Sequence, residues 1–174
     1  MSAHVTILPY EGKRPSFDDT VFLADGSRVV GDVTIGRESS IWYNTVIRGD
    51  VHYVTIGTGT NIQDLSMLHV THGSYPLEIG DQVTVGHKVT LHGCLLESRC
   101  LIGMGAIVLD GAVVEENAMV AAGAVVTPGT RVASGSLVAG VPAKPIRELT
   151  EQELAAFVPS SERYIRYARK HRAG

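Results

Sequence analysis

Aliphatic residues recur along this chain at a strict interval of six. Leu96, Ile102, Val108, Val114, Val120, Val126, Val132 and Val138 form one unbroken run. Four positions after each comes Cys100, Ala106, Ala112, Ala118, Ala124, Thr130, Ser136 or Pro142, a small or turn-forming residue. The same interval runs from Leu23 through Val29, Ile35 and Ile41 to Ile47, resumes over Ile56, Ile62 and Leu68, and resumes again over Ile79, Val85 and Leu91. An α-helix turns every ~3.6 residues, so a six-residue interval would scatter its apolar positions around the axis. A parallel β-helix accommodates it, because three strands of about six residues close one triangular coil of about 18. Each aliphatic then points inward, each small residue fits a corner, and the coils stack at the ~4.8 Å strand spacing.

Three irregular steps interrupt this order. Ile47 to Ile56 predicts a bulge near His52–Val54, Leu68 to Ile79 a loop around Thr71–Pro76, and Leu91 to Leu96 a single deletion. Interruptions of a solenoid tend to map to its binding face. The repeat stops at Val141–Pro145, which divides the chain into a β-helix over residues 1–145 and a helical segment over 146–174 packed against it. In that segment Thr150 and Glu153 have capping-box spacing and predict a short helix over 151–157. Pro159 is expected to break it, and Ser161 to cap a second helix through about His171. Tyr164, Ile165 and Tyr167 give the second helix a side that can adhere to the prism, while its basic end, Arg169–Arg172, is expected to be solvated.

Composition fits this architecture. Gly is high at 19 and aromatics low at 6%, as a narrow prism with tight corners and an aliphatic core requires. A length of 174 residues and a charged fraction of 19% describe one globular domain. The net charge of -3, with no basic block, argues against a nucleic-acid partner. No apolar run is long enough to span a bilayer, and the opening residues lack the form of a signal peptide. Only Cys94 and Cys100 are present, which excludes a disulfide framework and suits a reducing compartment. These features together predict a cytoplasmic protein.

The chemistry concentrates in the histidines. Placing Ile56, Ile62 and Leu68 on sides one, two and three puts Ile79, Val85 and Leu91 on the same sides one coil later. His69 and His92 each follow the inward residue of side three, so they should stack one strand spacing apart, with Arg48 in the same column. His87 falls on side two, above Asp64. Taken singly, a histidine on a solenoid is most simply a surface or hydrogen-bonding group, and His4, His52 and His171 are read that way. The stacked pair differs, because two imidazoles at that separation can share one ion. A third from side two can join them only from a neighbouring chain, so the pattern predicts a shared metal site in a cyclic trimer. His72, in the predicted loop, is a candidate for proton handling.

The stretches Arg48-Gly-Asp50, Asn61-Ile-Gln63-Asp64, His69-Val-Thr-His72 and Val85-Gly-His87 through His92-Gly-Cys94 resemble the γ-class carbonic anhydrases. The resemblance is strongest to the short bacterial members, a subgroup that includes the phenylacetate-degradation accessory protein, and it covers nearly the whole chain. It implies a left-handed β-helix and a homotrimer with a metal at each interface, held by His69 and His92 of one chain and His87 of the next. The metal would be Zn2+, with Fe2+ or Co2+ also compatible with three imidazoles. The implied reaction is the hydration of CO2 to bicarbonate, with water acidified towards a pKa of ~7 supplying hydroxide. Gln63, assisted by Asn61, would orient the reactants. Arg48 and Asp50 would form an interface pair that positions the pocket, Asp64 would fix a ligand or interface residue, and Tyr164 would approach the pocket from the C-terminal helix. Two features depart from the archaeal-type enzyme: Val51 replaces an acidic residue, and the short loop Thr71–Pro76 lacks the glutamate that exports protons, leaving His72, Glu78 or buffer to substitute. Ala139–Lys144 resembles the end of hexapeptide acyltransferase domains, so acyl transfer or CoA-thioester hydrolysis is the alternative activity, and a non-catalytic metal-binding trimer the other alternative.

Overall fold

The computed structural model describes residues 4–173, so Met1–Ala3 of the opening segment lie outside the described residues. The chain forms a parallel β-solenoid of about seven turns followed by one long helix. Its strands pair in parallel, coil upon coil, except that the last, Lys144–Glu148, crosses the expected end of the β-helix at 145 and pairs antiparallel with Ser136–Ala139. The inward residues stand in three columns. On side one Ile35, Ile56, Ile79, Leu96, Val114 and Val132 are successive partners. Side two carries Leu23, Ile41, Ile62, Val85, Ile102, Val120 and Val138. Side three carries Ile7, Val29, Ile47, Leu68, Leu91, Val108 and Val126. Apart from Ile7 and Leu23 at the first coil, these side chains are buried, as are the corner residues Ala106, Ala112, Ala118 and Ala124.

The corners explain the glycine content. The residue just before each small corner residue adopts positive φ, as at Gly105, Gly111, Gly123, Gly129 and Gly135. Left-handed backbone strains residues that carry a Cβ, so glycine favours these sites. Asn44, Leu65, Lys88 and Asn117 nevertheless adopt the same conformation at equivalent corners, because the stack on either side of each corner fixes the path of the chain. Both cysteines are buried and free. Burial pushes each thiol up to about 12, so neither serves as a nucleophile near neutral pH.

The three interruptions appear as expected. The strand Val46–Ile56 runs continuously but bulges against Arg28–Ile35, with its register shifting between Gly31 and Val33. The second interruption is a tight turn closed by a bridge between Thr71 and Tyr75. The deletion leaves Gly93 at a corner with φ 53°.

The C-terminal segment corrects the sequence-based expectation. A single helix, α1, spans Glu151–Ala173 with Pro159 inside it. Proline removes one intrahelical hydrogen bond and crowds the preceding turn. Packing on both sides of Pro159 outweighs that cost, since Phe157, Ser161 and Ala168 are all buried against the solenoid. Ser161 is therefore not a cap; its hydroxyl donates to the Gly59 carbonyl at 2.6 Å. The helix lies along side two, against Phe22–Leu23, Ser40–Ile41, Asn61–Ile62 and Thr84–Val85. Its basic end, Arg169–Arg172, is exposed, as expected, and makes contacts at the surface of the solenoid. Arg172 donates to the carbonyls of Asp19 and Val21 at 2.5 Å, and His171 packs edge-on against Trp42 with ring centroids 5.1 Å apart. Among the described residues, no helix is long and apolar enough to cross a membrane.

The start of α1 is anchored as the capping box predicts. Glu153 accepts from the Thr150 backbone N–H at 2.9 Å and from Arg147 at 2.7 and 2.8 Å. The arginine, and then the Thr150 amide, hold the carboxyl down from 4.5 to about 2. Because the folded value is depressed, this stabilisation is complete above pH 4.5 and is lost as the pH falls towards 2. Thermal unfolding of wild type and Glu153→Gln, followed by circular dichroism, is expected to differ most near neutral pH and to converge on acidification.

Candidate metal centre

Strand pairing sets the first half of the site. His69 and His92 are register partners on neighbouring coils of side three, with ring centroids 5.1 Å apart. His69 Nδ1 faces His92 Nε2 at 3.1 Å. The outer nitrogen of each ring is occupied. His69 Nε2–H donates to Asp50 Oδ1 at 3.1 Å, and His92 Nδ1–H donates to Asp110 Oδ1 at 2.6 Å. Arg48 in turn binds the other Asp50 oxygen. Burial tends to raise Asp50, but the hydrogen bonds from Arg48 and His69 outweigh it and hold the carboxyl below 3.8.

These contacts fix the protons. A neutral imidazole has one donor and one acceptor nitrogen. With both donors spent on carboxylates, two lone pairs face each other across 3.1 Å. A proton between them would relieve the repulsion, but burial, reinforced by the nearby Arg48 and His92, pushes His69 below its ordinary 6.5 despite Asp50. A shared cation would relieve it instead, and 3.1 Å is short enough for two metal–nitrogen bonds of ~2.0–2.1 Å to one ion. The donor set therefore fits a metal. Among the described residues, no three metal-binding side chains converge within one chain.

His87 lies elsewhere, two residues past Val85 on side two. Its Nδ1 meets Asp64 Oδ2 at 2.7 Å, and it is the most exposed of the three, with 43% of its side chain accessible against 17% for His69. Asn61 and Gln63 are buried on the same side, where Gln63 Nε2 donates to Asn61 Oδ1 at 3.1 Å and Asn61 Nδ2 to Thr84 Oγ1 at 3.0 Å. Tyr164 reaches this side from α1, where burial and then the Asp64 charge push its phenol up. The expected site residues thus form two groups. Arg48, Asp50, His69 and His92 meet on side three; Asn61, Gln63, Asp64, His87 and Tyr164 gather on side two. His72 sits in the Thr71–Tyr75 turn and, with His52 and Asp50, lines a hollow beside the bulge. Glu78 is occupied by the Tyr53 hydroxyl on side one.

Asp110 was missed from sequence. It stands two residues past Val108, as Gly93 stands two past Leu91, and those two aliphatics are register partners. The column rule could have found it above Gly93, but not its contact with His92.

A family model described as bacterial transferase hexapeptide (six repeats) matches residues 93–128. Gamma carbonic anhydrase 1, mitochondrial, of Arabidopsis thaliana is 47% identical over 178 residues, covering 99% of this chain and 65% of the relative. The chain thus spans just under two thirds of that plant protein. The carbonic anhydrase of Geobacillus kaustophilus is 45% identical over 167 residues, covering 96% of this chain and 91% of the relative. The crystal structure of a hexapeptide transferase family protein from Anaplasma phagocytophilum is similar with a TM-score of 0.90, at 46% identity over 95% of this chain and 97% of that one.

The packing at Gly93 yields a stability test. A Cβ there would lie 2.4 Å from Asp110 Oδ1 and 2.7 Å from Tyr75 Cβ, on a backbone already at positive φ. Gly93→Ala is expected to destabilise the fold by roughly 1–3 kcal/mol. Calorimetry should show a melting temperature several degrees lower.

Proposed function

The chain belongs to the γ-carbonic anhydrase family, and from that premise we propose that it catalyses the reversible hydration of CO2 to bicarbonate at a divalent-cation site shared between subunits of a homotrimer. The observation that carries this reading is the facing of His69 Nδ1 and His92 Nε2 at 3.1 Å with both outer nitrogens bound to carboxylates. His69 and His92 of one chain and His87 of its neighbour would hold the ion, with Zn2+, Fe2+ and Co2+ the compatible candidates. A bound divalent cation would supply Lewis acidity, making hydroxide available from water near neutral pH.

The remaining residues bind and orient. Asp50, kept ionised by Arg48, fixes the tautomer and direction of His69, and Asp64 does the same for His87. Thr84 accepts from Asn61, and Asn61 accepts from the Gln63 amide, leaving the Gln63 carbonyl oxygen and second amide hydrogen to orient the reactants. Each hydration releases a proton. The turn Thr71–Tyr75 carries no carboxylate to export it, so His72 at its edge and buffer in solution are the available acceptors, and turnover should depend on buffer concentration. Acyl transfer from CoA is the competing reading, favoured by the hexapeptide transferase relative. That chemistry needs only one histidine as general base, whereas here His69 and His92 face each other at 3.1 Å.

Complementation tests the sharing. Chains carrying His87→Ala, or His69→Ala with His92→Ala, are each expected to lose metal and CO2 hydration. Refolded together at equal ratio, they should regain about one quarter of the wild-type sites, the fraction of cyclic interfaces that receive all three ligands on random mixing. Stopped-flow hydration should follow metal content and vanish on chelation, with no acetyl-CoA turnover. Full metal content in either variant alone, or no recovery on mixing, would refute a shared site.

A further inference from the structure

We propose that Asp110 is a positioning residue for the metal centre: its carboxylate holds His92 in the Nδ1–H tautomer and so presents Nε2 as the ligating atom. This rests on the cation site described above and adds to it a residue three coils beyond Asp50. Coil by coil the groups in line are Asp50, His69, His92 and Asp110, with each carboxylate just past the register position of the histidines. One carboxylate therefore closes each end of the histidine pair, and the two rings offer opposite nitrogens, Nδ1 from His69 and Nε2 from His92, to the gap between them.

Asp110 is built into place. Its Oδ1 takes the His92 proton at 2.6 Å while its Oδ2 accepts from the Thr71 hydroxyl at 2.9 Å. Its backbone carbonyl accepts from Gly129 N–H at 2.9 Å, and the next residue, Gly111, donates to the Gly93 carbonyl at 2.7 Å. Gly93 provides the space, since any side chain there would begin 2.4 Å from Asp110 Oδ1. Both oxygens are thus directed by separate partners, and the carboxylate cannot turn away from His92 without losing the Thr71 bond. A carboxylate behind a ligating imidazole fixes the ring and raises its basicity.

The test uses Asp110→Asn, which keeps the size and removes the charge, Asp110→Ala, and Thr71→Val, which frees the outer oxygen. In metal-free protein, the 15N shifts of His92 should show a protonated Nδ1 and a bare Nε2 in wild type. They should move towards the other tautomer or a mixture in both Asp110 variants. Competition with a chelator should show Zn2+ affinity falling by about 10- to 100-fold in the Asp110 variants, and by less in Thr71→Val. Melting curves identify any variant that does not fold, and Asp110→Asn and Thr71→Val keep the question open to measurement if Asp110→Ala is such a variant. A His92 tautomer unchanged in folded Asp110 variants, or Zn2+ affinity within twofold of wild type while His92→Ala abolishes binding, overturns the proposal. If His92→Ala leaves Zn2+ affinity unchanged, it is the cation site that fails, and the tautomer shift still decides whether Asp110 orients the ring.

Discussion

Leu68 and Leu91 lie one above the other inside side three, and parallel strands pair residue by residue. That stacking also decides that His69 lies beneath His92. A slip of one residue would turn every side chain of the strand to the opposite face, taking the leucines out of the core and the histidines into it. The cost of exposing two buried leucines, about 1.5–3 kcal/mol each, therefore guards the geometry of the proposed metal centre. The site needs no dedicated scaffold of its own, because the hydrophobic register supplies its precision.

Electrostatics then selects what that geometry can hold. Two imidazoles in register could equally be a neutral hydrogen-bonded pair, one ring donating to the other. Asp50 and Asp110 exclude that arrangement by claiming the outer protons, and Arg48 keeps Asp50 ionised so that its claim persists. The inner nitrogens are left as two acceptors with nothing to accept. Buried polar groups without partners are costly, so the proposed binding of a cation would gain from relief of this mismatch.

Where the chemistry depends on the periodic part of the fold, the sequence was sufficient to find it. The three columns, the His69–His92 stack and the Asp64–His87 pair all follow from counting in sixes. Two kinds of feature did not. Pro159 predicts a break when weighed locally, and only the packing of Phe157, Ser161 and Ala168 against side two overrides it. His171, though exposed, touches Trp42 and Tyr43 only because α1 continues past the proline and returns its basic end to the first coils. Asp110 was hidden for a different reason. The deletion between Leu91 and Leu96 tightens the corner at Gly93, and it is that local approach, not the repeat, which brings the carboxylate to His92.

All three irregular steps leave side three at the same corner of the prism, on successive coils. The nine-residue step provides Asp50, the eleven-residue step provides Thr71, and the five-residue step provides Gly93. Regular hexads can offer only outward side chains at fixed spacings, which suffices for the ligands but not for the groups that must reach sideways to grip them. The bulge lengthens the chain so that a carboxylate folds back onto His69. The turn carries a hydroxyl across to Asp110, and the deletion removes the obstacle between Asp110 and His92. Insertion and deletion are here the same device, used on three neighbouring coils to turn a stack of imidazoles into an oriented pair. Side two, by contrast, is entered and left by six-residue steps on each of these coils and is covered by α1. It can present His87 on a firm backing, but it lacks the irregular elements needed to complete a site of its own. That asymmetry between the two sides is what the proposed heterologous interface would require, one face receiving a ligand and the other delivering it.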